Sequence, residues 1–120
     1  MAKNLEVTVL LDFYGDMLTV KQREFLSYYY NDDLSLSEIA ENEGITRQGV
    51  RDAIKRAEGQ LSEMETKLGL ARRFDEMRSG LDEIVESAGR IGDYNLRHSL
   101  STEINEHTVR IQAIARTLME

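Results

Sequence analysis

Between Arg47 and Arg56 the chain reads RQGVRDAIKR, and its polar residues fall on one side of a helix. Gln48, Arg51 and Lys55 are spaced three and four apart, which makes a stripe. Val50 and Ile54 fall on the other side. An arginine guanidinium can fork onto guanine O6 and N7, and a glutamine amide can pair with adenine. Arg47 at the first turn, Lys55, and Arg56 further round are suited to phosphates. Asp52 lies inside the stripe, where it repels phosphate but can accept from a cytosine amino group. The candidate nucleic-acid-binding set is therefore Arg47, Gln48, Arg51, Asp52, Lys55 and Arg56. The same stripe also suits an RNA backbone or an acidic protein surface.

A helix in that position needs a support, and residues 35–56, SLSEIAENEGITRQGVRDAIKR, supply one. The segment reads as a helix-turn-helix, whose second helix is offered to a groove. Ser35 caps the first helix, and Glu38 completes a capping box. Ile39 and Ala40 point inward, and the small Ala40 lets the two helices approach. Gly44 suits a left-handed turn, Ile45 is expected to plug the corner, and Thr46 caps the second helix. Glu43 stands where this motif usually carries an apolar residue. An ordinary helical hairpin is the alternative.

No other constellation carries chemistry. The two histidines, His98 and His107, are nine apart and so lie on different helix faces. His107 falls in an apolar seam, as a core or interface residue. The carboxylate pairs Asp32/Asp33, Asp75/Glu76 and Asp82/Glu83 fall in loops or on polar faces. There is no phosphate-cradling loop, nucleophile elbow or metal-ligand spacing. The expectation is a protein that is not an enzyme and holds no cofactor or metal.

Composition narrows the field further. The 120 residues include no cysteine and no proline, which excludes disulfides and favours long helices. The absence of cysteine fits a cytoplasmic protein. No apolar run approaches the roughly 20 residues that span a membrane, and the N-terminus does not read as a signal peptide. The net charge of −7 argues against broad non-specific nucleic-acid binding. Its distribution is uneven. Residues 1–46 hold three basic and nine acidic side chains, residues 47–73 seven and four, and residues 74–120 five and nine. The only net positive segment begins at the candidate stripe.

The apolar periodicity predicts an all-α fold: a helix-turn-helix bundle followed by a long C-terminal helical hairpin. A first helix covers about Leu5 to Leu18, with Leu5, Val9, Phe13 and Met17 as its stripe. Thr19 and Gln22 box the start of a second helix, which runs to Tyr30 and buries Phe25, Leu26 and Tyr29. The run Tyr28-Tyr29-Tyr30 reads as one core ring and two half-exposed ones rather than as a base-stacking platform. The helix after Thr46 carries Val50, Ile54, Ala57, Leu61, Met64 and Leu68, a heptad seam broken at Gly69. A second seam runs through Leu70, Phe74, Met77, Leu81, Ile84, Ala88 and Ile91, and Gly92 to Asn95 read as a turn. A third follows through Leu100, Ile104, His107, Ile111, Ile114 and Leu118. These two helices would be about 33 and 36 Å long at 1.5 Å per residue. Two domains follow: 1–68, the helix-turn-helix, and 69–120, a hairpin that cannot bury its own faces. A homodimer formed through the hairpin is expected, with folding back onto the first domain as the alternative.

Residues 9–70 resemble the YlxM family of small bacterial proteins. The resemblance rests on Leu11-Asp12-Phe13-Tyr14, Leu18-Thr19 with Lys21-Gln22, and Tyr29-Tyr30 with Asp33. It continues through Ser35-Leu36, Glu38-Ile39-Ala40, and Arg47-Gln48 with Val50, Asp52 and Ile54-Lys55-Arg56. It implies a four-helix core similar to region 4 of bacterial sigma factors. It also implies an association with the signal recognition particle, through its GTPase Ffh or its RNA, and a regulatory role inferred from gene proximity.

Two functions remain open on these residues. One is a cytoplasmic regulator that binds DNA or RNA through the second helix. The other is a protein-interaction adaptor that keeps the helix-turn-helix as a scaffold.

Overall fold

A computed structural model describes residues 3–98 and 101–120. Six α-helices make up the described chain: α1 (Glu6–Tyr14), α2 (Val20–Tyr30), α3 (Leu36–Glu43), α4 (Arg47–Leu68), α5 (Leu70–His98) and α6 (Thr102–Met119), with a 3₁₀ turn at Gly15–Met17 after α1. The chain divides into two compact units, Met1–Ala71 and Arg72–Glu120.

In the first unit α4 is the spine on which α1, α2 and α3 pack. Its seam residues Val50, Ile54, Ala57 and Leu61 are buried among Leu11, Tyr14, Leu26 and Ile39. The heptad spacing of α4 is thus used inside its own unit at these four positions, while Leu68 at its end is exposed. Local chemistry sets the helix starts. Thr19 accepts from the Gln22 backbone while the Gln22 side chain accepts from Thr19 N–H, a complete capping box. Gly69 stops α4 in the left-handed conformation, at φ 62.

The first helix differs from its predicted face. Val7, Leu11 and Tyr14 are buried, whereas Leu5, Val9, Phe13 and Met17 are exposed. The helix is apolar on both sides, and the side that fits against α4 is the one carrying Tyr14. The helix also ends at Tyr14, and Leu18 is extended.

In the second unit α5 and α6 run antiparallel. Gln112 Nε2 donates to the Val85 carbonyl at 3.2 Å, and the Cα of Gly92 lies close against Thr108, where an added Cβ would sit 3.2 Å from its Oγ1. The predicted turn at Gly92–Asn95 is helical instead. Gly92 serves close approach rather than chain reversal, and α5 continues to His98. Asn95, buried, ties the chain across the reversal: its amide donates to the Ser101 carbonyl at 2.8 Å and its carbonyl accepts from Ser101 N–H at 2.9 Å. The helices therefore have 29 and 18 residues rather than near-equal lengths. Leu100, the first residue of the third predicted seam, lies outside the described residues. Between the helices Ala88, Thr108 and Ala115 are buried and Val85 is partly buried. The predicted seam residues Met77, Ile84, Ile91, Ile104, Ile111 and Leu118 are exposed instead, as is His107.

Candidate nucleic-acid interface

The turn between α3 and α4 is built from local hydrogen bonds. The Ser35 hydroxyl accepts from Glu38 N–H at 3.1 Å, and the Glu38 carboxylate accepts from Ser35 N–H at 3.2 Å. Gly44 closes α3 in the left-handed conformation, φ 68 and ψ 30, and Ile45 N–H donates back to the Ala40 carbonyl at 3.2 Å. The Thr46 hydroxyl then accepts from Gly49 N–H at 3.0 Å. Gly49 has a reason to lack a side chain, since a Cβ there would sit 3.2 Å from the Thr46 hydroxyl oxygen.

Two sequence expectations change here. Ile45 is exposed rather than plugged into the corner. Glu43, at the position that looked anomalous, pairs with Lys21 of α2 at 2.8 Å. This ion pair holds α3 to α2 where an apolar contact would otherwise do so. The Glu43 hydrogen bond and its charge hold the Lys21 ammonium above its ordinary range.

Behind α4 the tyrosines act as struts. Tyr29 is buried, and Tyr28 and Tyr30 are partly buried. The Tyr30 phenol donates to Glu58 of α4 at 2.5 Å. Burial first, and then this bond, pushes the Tyr30 hydroxyl well above its usual value. Tyr14 is fully buried. Its phenol donates to Glu65 at 2.6 Å and accepts from Leu70 N–H at 3.1 Å. Glu65 in turn accepts from Ala71 N–H at 3.0 Å. One buried phenol and one carboxylate thus satisfy the first free N–H groups of α5 beyond Gly69.

With α4 held on its inner face, the outer face carries all six candidate residues. Arg47, Gln48, Arg51, Asp52, Lys55 and Arg56 are exposed, while Val50 and Ile54 on the opposite side are fully buried. The Gln48 amide donates to Asp52 at 2.9 Å, and an Arg51 guanidinium nitrogen lies 4.0 Å from the same carboxylate. Arg47, Lys55 and Arg56 make no ion pair among the described residues. Beyond Lys55 the same face continues through Gly59, around which an added Cβ would meet nothing within 4 Å. Sequence reasoning passed over Gly59; its signal was a helix-weakening residue in an exposed helix interior.

The chain matches a known family over its whole length, residues 1–120. The family is described as "Putative helix-turn-helix protein, YlxM / p13 like" and carries the name UPF0122. The chain belongs to this family. A UPF0122 protein of Shouchella clausii is 50% identical over 82 residues, covering 68% of this chain and 75% of the relative. One from Thermoanaerobacter sp. (strain X514) is 52% identical over 80 residues, 67% and 68% of the two chains. One from Geobacillus kaustophilus is 40% identical over 90 residues, 75% and 82%.

Among the described residues no group of three or more histidine and acidic side chains could hold a metal ion. Among the same described residues no helix is long and apolar enough to cross a membrane.

Proposed function

We propose that this UPF0122 chain is a cytoplasmic, non-enzymatic regulator that binds nucleic acid through the outer face of α4. The observation that carries the reading is the division of α4 itself. One face is sealed into the core by Val50, Ile54, Ala57 and Leu61, and the other offers Arg47, Gln48, Arg51, Lys55 and Arg56 to solvent. Of the segments 1–46, 47–73 and 74–120, only 47–73 is net positive. The family resemblance makes signal recognition particle RNA the first target to try, beside duplex DNA.

A second reading is favoured by one observation. Asp52 sits in the stripe and engages Gln48 and Arg51, as suits an adaptor that meets a protein surface. Salt-titrated binding separates the two. Contacts to phosphates release counterions, so log affinity falls linearly with log salt at a slope of about −0.9 per contact on duplex DNA and about −0.7 on single strands. Binding with such a slope supports the nucleic-acid reading. Absence of binding to DNA and to the particle's RNA at low salt discards it in favour of the adaptor.

A further inference from the structure

The second unit leaves an ordered apolar face uncovered. On α5, Met77, Ile84 and Ile91 follow one another at steps of seven. On α6, Ile104, Ile111 and Leu118 do the same. All six are between 40% and 58% exposed. Because the helices are antiparallel, the two rows stand side by side. Where Gly92 meets Thr108 and Gly89 meets Gln112, Ile91 falls within two residues of Ile111, and Ile84 within two of Leu118.

We propose that this face is covered by the same face of a second copy, so that two hairpins close into a four-helix bundle. A strict seven-residue repeat keeps an apolar row facing another helix along its length. A globular partner imposes no such period. A face that carries its own complement suits a two-fold axis, which brings a patch against itself. Its extent also fits. From Met77 to Ile91 the row runs about 21 Å, at 1.5 Å per residue. The six side chains expose on the order of 600 Å² per protomer, beside the roughly 800 Å² that a standard interface takes from each partner. The outer ridge of α1 is too short to cover it, since its nine residues extend only about 13 Å.

Glycine placement adds an independent mark. Gly89 and Gly92 sit against Gln112 and Thr108 of α6. Gly80 meets nothing within 4 Å in this chain, yet it lies three residues after Met77 and four before Ile84, on their face. A helix that packs against Gly80 from another copy gives it the same reason the other two have.

The proposal does not depend on what α4 binds. Light scattering on the purified chain at tens of micromolar is expected to give twice the 13.8 kDa chain mass, and Ile84→Glu with Ile111→Glu to return it to the single mass. Because two charges could also unfold the hairpin, the cysteine-free sequence provides a second arm. Among Ile84→Cys, Ile91→Cys and Ile111→Cys, oxidation is expected to link copies covalently in at least one. Arg90→Cys, away from the row, is expected to stay unlinked. A wild-type chain of single mass overturns the proposal and points to a hairpin covered within its own chain. A dimer that survives both charges overturns it as well, as does cross-linking through Arg90→Cys alone.

Discussion

The Gln48 amide donates to Asp52, one turn on along α4, at 2.9 Å. The only acid in the basic stripe therefore occupies the glutamine that would otherwise be free to read a base. It also draws Arg51 to 4.0 Å. On the proposed function, Asp52 is expected to set how readily this face accepts a polyanion, since one negative charge offsets one basic neighbour at the surface.

Asp52→Asn should release that restraint while keeping a hydrogen-bonding side chain. Non-specific affinity for duplex DNA at low salt is expected to rise roughly ten-fold, equivalent to about 1.4 kcal/mol. The salt slope is expected to steepen by about one contact's worth. Fluorescence anisotropy measures both, and an unchanged slope would remove Asp52 from the interface.

Glycines on the two sides of Thr46 should respond in opposite directions. Gly44 holds φ 68, so Gly44→Ala is expected to cost about 1–2 kcal/mol through backbone strain. Gly59 is helical, and a methyl group there meets nothing, so Gly59→Ala is expected to stabilise by about 0.5–1 kcal/mol. Urea midpoints for the two variants test the pair. A destabilised Gly59→Ala would mean that the α4 backbone is approached closely there.

Tyr14→Phe keeps the ring in the core but removes the donor to Glu65 and the acceptor for Leu70 N–H. A loss of about 1–3 kcal/mol in the urea unfolding free energy is expected, the range for leaving a buried hydrogen-bond partner unsatisfied.

Tyr14 and Tyr30 also predict an alkaline limit. Burial raises both hydroxyls above the ordinary value of 10.0, aided by Glu65 and Glu58 respectively. The unfolded chain therefore loses these protons first. Their contribution to stability is complete below pH 10 and falls as pH climbs from there towards the raised folded values. Absorbance at alkaline pH should show these two phenols ionising only as the fold opens. In Tyr14→Phe/Tyr30→Phe the alkaline fall in stability should be smaller.

The sequence was most legible where the chemistry is local. Thr19 with Gln22, Ser35 with Glu38, Thr46, Gly44 and Gly69 each make their cap or turn with neighbours a few residues away, so spacing alone reveals them. The first helix was misread because it is apolar on both sides. Nothing in Leu5, Val9 and Phe13 says that Tyr14 is the residue with a partner 51 positions away. Gly92 and Asn95 resembled a turn because glycine and asparagine also serve close helix contact and loop tying. Glu43 looked out of place until Lys21 appeared beside it. The candidate stripe was legible as a face, since α4 is a regular helix. The engagement of Gln48 by Asp52 was not, because it depends on rotamers rather than on spacing.

On the proposed function, the cations Arg47, Arg51 and Lys55 on the outer face of α4 carry the contacts to nucleic acid. The most direct measurement is the salt dependence of binding for Arg47→Ala/Arg51→Ala/Lys55→Ala beside the parent chain, on duplex DNA and on signal recognition particle RNA. Weaker binding on the preferred target and a slope reduced by about three contacts are expected, with helicity unchanged because all three residues are exposed. An affinity and slope equal to those of the parent would contradict this assignment.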